Sequence, residues 1–87
     1  MMVTVQWTTK ARKQLLSIDT RYRKAISEKV NKLETFPAVT LDIKKLHSID
    51  NQYRLRVGDY RVIFELTDGE PVICSIRTVK RRTSTTY

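Results

Sequence analysis

The stretch "YRLRVGDYRVIFEL", residues 53 to 66, sets Arg54, Arg56 and Arg61 among residues that otherwise alternate between apolar and polar. In extended chain, residues two apart leave the backbone on the same side, so Arg54 and Arg56 share a face. A two-residue turn at Gly58-Asp59 then brings Arg61 directly opposite Arg56. Like charges opposed across two strands cost stability. A guanidinium, however, grips a phosphate with a planar two-pronged fork. A sheet face lined this way suits a polyanion whose arrival relieves the repulsion. The competing reading is a plain solvated face, where basic residues also discourage edge-to-edge pairing of sheets.

The rest of the chain leans towards the polyanion. The 87 residues hold 17 Lys+Arg against 9 Asp+Glu, a net charge of +8. Residues 71–87 carry Arg77, Lys80, Arg81 and Arg82 and no acidic side chain. Such an excess marks nucleic acid as the leading partner class. Anionic membrane fits less well, because the basic residues do not lie opposite an apolar helical face. Tyr87, at the end of the basic segment, offers a flat ring on which a base could stack. Other chemistries have thin support. Cys74 is alone and sits between Ile73 and Ser75 in a strand, which makes it a small core residue rather than a nucleophile. With a single Cys no internal disulfide forms, and with one His beside it there is no ligand cluster for a metal. No cofactor is implied. The opening "MMVTVQWTTK" lacks a signal-peptide core and a membrane span, so the expected location is the cytoplasm, with no membrane partner.

One domain, residues 1–87, must position these groups. Residues 2–7 alternate and are β-branched, a first strand. In "TTKARKQLLSI", Ala11, Leu15 and Ile18 recur at helical spacing, with Thr8 or Thr9 as the cap. Asp19 or Thr20 caps a second helix whose apolar stripe is Tyr22, Ala25, Ile26, Val30 and Leu33, ended by Pro37. Residues 38–51 read as a connection anchored by Leu41, Ile43, Leu46 and Ile49. A three-stranded antiparallel meander follows. Tyr53, Leu55, Val57, Tyr60, Val62, Phe64 and Leu66 face the core, leaving Glu65 as the only acid beside the arginines. A three-residue loop Asp68-Gly69-Glu70, with Gly69 left-handed, turns Val72, Cys74 and Ile76 inward. Unbroken alternation would then add Arg77 and Arg81 to the face of Arg54, Arg56 and Arg61. The expected architecture is α+β: an N-terminal strand, an α-hairpin and the meander, with helices on one face of the sheet.

This order of elements resembles the RelE toxins of the RelE/ParE superfamily across essentially the whole chain. The resemblance rests on "YRLRVGDYRVIFEL" and the closing "RTVKRRTSTTY". It implies a toxin of a type II toxin–antitoxin system, a metal-independent endoribonuclease that cuts mRNA in the ribosomal A site and arrests translation. It also implies a cognate antitoxin, and operator DNA reached through that antitoxin. Residue by residue, Arg61 and Arg81 match the family's two catalytic arginines, and Tyr87 its base-stacking tyrosine. Arg54 and Arg56 stand where well-studied members carry lysines, and complete the catalytic set. Arg54, Arg56, Arg77, Lys80 and Arg82 would hold RNA. An arginine does not serve as a base, so His47 is the candidate general base. The implied reaction is attack of the substrate's 2′-OH on the adjacent phosphorus, giving a 2′,3′-cyclic phosphate. Two other functions suit the same fold: a ParE-like inhibitor of DNA gyrase, and a ribosome- or RNA-binding module without cleavage.

Overall fold

The structure is a computed structural model that describes residues 3–36, 40–47 and 51–81. Strand β1 (Val3–Trp7) leads into helix α1 (Thr9–Leu16), then α2 (Thr20–Asn31). Short strand β2 (Ile43–Lys45) precedes the meander of β3 (Gln52–Val57), β4 (Tyr60–Thr67) and β5 (Val72–Arg81). The five strands form one sheet in the order β1-β5-β4-β3-β2, with β1 parallel to β5 and the other neighbours antiparallel. This is the α+β architecture expected, with one strand more. β2 falls inside what reads as a connection in the sequence. Three residues alternate too briefly to announce a strand.

Both helices start where short polar side chains bond the first turn. The Thr8 hydroxyl accepts from the Ala11 N–H, and the Asp19 carboxylate from the Arg21 N–H. That backbone hydrogen bond, reinforced by the Arg21 guanidinium, holds the Asp19 carboxyl below its usual range. Arg23 ties the two helices together by donating from Nη2 to the carbonyls of Leu16 and Ile18. A 3-10 turn, Lys32–Thr35, ends the second helix, and Phe36 leaves it in extended conformation. Pro37, the expected terminator, and Ile49, an expected anchor, lie outside the described residues.

The core fills the space between the helices and one sheet face. Ala11, Ile26, Val30 and Leu33 meet Leu55, Val62, Phe64, Cys74 and Ile76 there, all at 0% exposure. Phe36, Tyr53 and Phe64 add a cluster of rings 5.3–5.9 Å apart. Tyr22, expected in the core stripe, is 46% exposed and lies against Tyr60 at 5.6 Å. Cys74 is a core residue, and burial pushes its thiol up to about 12.

The β3–β4 turn is as expected, with Gly58 at φ +56° and Val57 opposite Tyr60. The β4–β5 connection is longer than expected. Thr67 stands opposite Ile73 rather than Pro71, and Gly69 has φ +157°, not the left-handed helical value. The difference is an even number of residues, so Cys74 and Ile76 still face inward.

Candidate functional site

The sheet face turned away from the helices carries the arginines, and the ladder fixes how they stand. The Arg56 N–H donates to the Asp42 carbonyl, 2.9 Å away on the β2 side. Arg56 and Arg61 therefore oppose each other in β3–β4 without backbone hydrogen bonds between them, the arrangement that brings side chains closest. Arg61 in turn stands opposite Lys80 of β5. Arg56, Arg61 and Lys80 form a row of cations straight across three strands. The adjacent row runs Lys44, Arg54, Ile63 and Thr78.

Arg81 does not join them. A β-bulge lies where Phe64 pairs Ile76 while Ile63 pairs Thr78, so Arg77 is the extra residue. Beyond it the alternation inverts. Val79, 3% exposed, enters the core opposite Val62. Lys80 takes the arginine face, and Arg81 pairs Tyr60 on the side of the helices. The expectation that Arg81 converges with Arg61 is thus corrected by the bulge, and Lys80 stands in its place. β1 stops opposite Ile76, which leaves the later N–H groups of β5 without a strand partner on that side. Gln14 of α1 supplies one, its Oε1 accepting from the Val79 N–H at 2.7 Å.

Acids temper the face at two points. Asp42 reaches Arg54 Nη2 at 3.7 Å and Arg56 Nη1 at 3.6 Å. Glu65 reaches Arg77 Nη1 at 3.9 Å. Glu65 is therefore not the only acid among these basic residues. All three contacts are long and partly solvated, the kind worth little to stability and easily exchanged for another anion. Arg54 is the least exposed of the cluster, its side chain 25% accessible, and its Nε is shielded from water without an acceptor. A shielded donor left unsatisfied costs free energy, which lowers the cost of leaving this conformation for a phosphate.

His47 is exposed just past β2, level with Asn51 if the β2–β3 register is continued. Arg56 lies five residues along, about 17 Å at a strand's ~3.4 Å per residue. The structure does not bring His47 to the cation row. Arg82 and Tyr87 lie outside the described residues. Lys44, Asp42 and Gln14 are the positions that reading the sequence missed. The alternation of "LDIK" (41–44) is too brief to single out the first two by itself, and nothing local signals Gln14.

The fold has clear relatives. Residues 5–84 match the family described as the ParE toxin of type II toxin-antitoxin system, parDE. A search among curated proteins returns no match. Several solved structures share the fold. One is the archaeal RelE–RelB complex from Pyrococcus horikoshii OT3: TM-score 0.78, 27% identity, covering 98% of this chain and 100% of that one. Another is the toxin–antitoxin complex RelBE2 from Mycobacterium tuberculosis: TM-score 0.77, 27% identity, 94% and 100% coverage. A third is the RelB–RelE complex from Methanococcus jannaschii: TM-score 0.68, 28% identity, 87% and 88% coverage. With the match spanning nearly the whole chain, the protein belongs to the ParE toxin family of type II toxin–antitoxin systems and is a RelE-type toxin of the RelE/ParE superfamily.

Proposed function

We propose that this toxin is an endoribonuclease that cuts mRNA on the ribosome and so arrests translation. The observation that carries the reading is the cation row Arg56–Arg61–Lys80 with Arg54 beside it. A row of opposed cations is a poor way to build a stable sheet and a good way to hold a phosphodiester as negative charge builds on it. The substrate's 2′-oxygen forms a bond to phosphorus and the bond to the 5′-oxygen breaks. Arg61 and Arg56 neutralise the phosphoryl oxygens. Lys80 gives a proton to the leaving 5′-oxygen, which an arginine does not do. The proton of the 2′-OH passes to water. Arg54 orients the adjoining backbone, and Tyr87 stacks on the neighbouring base to hold it splayed for in-line attack. The protein acts in the cytoplasm and is neutralised by a cognate antitoxin covering this face. Two of the structural relatives, from Pyrococcus horikoshii and Methanococcus jannaschii, are toxin–antitoxin complexes of RelE with RelB, which supports such a partner.

A second reading is favoured by the match to the ParE toxin family: a ParE-like inhibitor of DNA gyrase that cuts no RNA. One experiment separates them. The toxin is induced in cells and applied to programmed ribosomes, as wild type and with Arg61→Ala, Lys80→Ala or Arg81→Ala. RNA cleavage predicts mRNA 5′ ends within codons, a loss of about 10²–10³ in rate for Arg61→Ala or Lys80→Ala, and a smaller loss for Arg81→Ala. Broken DNA with intact mRNA would select the gyrase reading. Binding to ribosomes without new ends would select a module without cleavage.

A further inference from the structure

Beside the cation row the same face opens into a groove of ≈ 370 Å³, lined by Thr8, Lys10, Gln52, Ile63, Arg77 and Thr78. Its floor is Ile63, a half-buried apolar residue set between Arg54 and Thr78 on a face otherwise polar around it. Gln52 forms one wall, in β3 two residues before Arg54. Lys10 of α1 and the bulged Arg77 stand at the rim. We infer that this groove is a nucleobase subsite, holding a base of single-stranded RNA one step along the strand from the phosphodiester held at Arg56, Arg61 and Lys80. The inference rests on the RNA reading above and adds where a flanking base is recognised and by what.

The chemistry of the lining favours a base over a second phosphate. Glu65 stands opposite Gln52 and holds Arg77 at 3.9 Å. A carboxylate beside the floor repels phosphate and accepts from an exocyclic amine. The Gln52 amide offers a donor and an acceptor side by side, the pairing that reads a base edge such as adenine's. Ile63 gives the ring an apolar surface. The cations at the rim, Lys10 and Arg77, are placed for the backbone phosphates on either side. The row containing Ile63 is two residues along β4 from Arg61, about 7 Å, a spacing comparable to one nucleotide step.

Two substitutions separate base reading from charge. Fluorescence anisotropy would measure binding of short A-, C- and U-rich single-stranded RNAs to the full chain across a salt series, with circular dichroism to check the fold. Gln52→Ala is expected to flatten the preference among the RNAs by about tenfold, within what one bidentate side chain–base pair gives. Lys10→Ala, on the exposed first turn of α1, is expected to weaken all RNAs alike and reduce the salt slope by about 0.7. Arg61→Ala is expected to weaken all of them and keep the preference. RNA held through Arg61, with Gln52→Ala and Lys10→Ala indistinguishable from wild type, would overturn the subsite while leaving the RNA reading standing. A wild-type protein with no affinity for any of the RNAs would overturn both.

Discussion

If the cation row exists to meet an anion, neutralising its middle member should stabilise the folded protein while disabling it. Arg61 faces Arg56 on one side and Lys80 on the other. Two unit charges about 6 Å apart in water repel by ~0.7 kcal/mol. Two such neighbours, eased by Asp42 on the far side of Arg56, leave Arg61→Gln a net gain of about 0.5–1 kcal/mol. For a domain of this size 1 kcal/mol moves Tm by about 4–8 °C, so the expected rise is about 2–8 °C at low salt. At 1 M salt the Debye length falls to ~3 Å and most of that gain should vanish. Thermal unfolding at both salt concentrations would be compared with Lys24→Gln, which removes the same charge from the exposed side of α2. A solvated face predicts equal, small shifts for the two substitutions and no effect on activity. An Arg61→Gln protein no more stable than wild type, or stabilised equally in 1 M salt, would refute the reasoning.

Four further outcomes are expected, three from the fold and one from the proposed role of Tyr87. Gln14→Leu should cost about 1–3 kcal/mol by leaving the Val79 N–H without its acceptor, and should weaken activity by loosening the strand end that presents Lys80; urea unfolding and hydrogen exchange at Val79 would check this. Because burial raises the Cys74 thiol to about 12 against 9.0 for the ordinary group, its stability contribution is intact below pH 9. That contribution is lost as pH rises towards 12, by up to ~1.4 kcal/mol per unit; Cys74→Ala should flatten the decline, and alkylation of the native thiol at pH 8 should be negligible. Asp19 shifts the other way, so the stability from its cap holds above the usual carboxylate range and fades as pH falls through its lowered value; Asp19→Ala should unfold earlier at neutral pH and show a weaker acid slope. Finally, Tyr87→Phe should keep most cleavage while Tyr87→Ala loses about 1–3 kcal/mol of stacking, read in single-turnover cleavage on programmed ribosomes; equal rates for wild type and Ala would remove Tyr87 from the site.

The β3–β4 hairpin was legible from the sequence because three constraints agree there. Gly58 takes a positive φ, the apolar set of Leu55, Val57, Val62 and Phe64 closes on one face, and no residue is left over. The helix starts were legible for the same kind of reason, a capping side chain ahead of an apolar stripe. β2 was not, because a three-residue edge strand owes its existence to the partner it pairs with rather than to its own pattern. The β4–β5 register held only in parity. The alternation argument chooses between faces and is blind to an even difference in loop length.

The bulge is where local reasoning failed and where the membership of the cation row was decided. In "CSIRTVKR" the buried positions are 74, 76 and 79, a spacing that strict alternation cannot produce. Unbroken alternation would bury Thr78 and Lys80 and expose Val79. The ladder instead takes in one extra residue, because burying Val79 is favourable and burying an unpaired lysine is not. That choice sends Lys80 to the arginine face and Arg81 to the helices. It also leaves Arg77 outside the ladder, free to reach Glu65 and the rim of the groove. A lysine thereby stands beside Arg61, where the proposed cleavage calls for a group that can give a proton and an arginine would supply charge alone. The core preference of Val79 therefore selects the chemistry available on the opposite face.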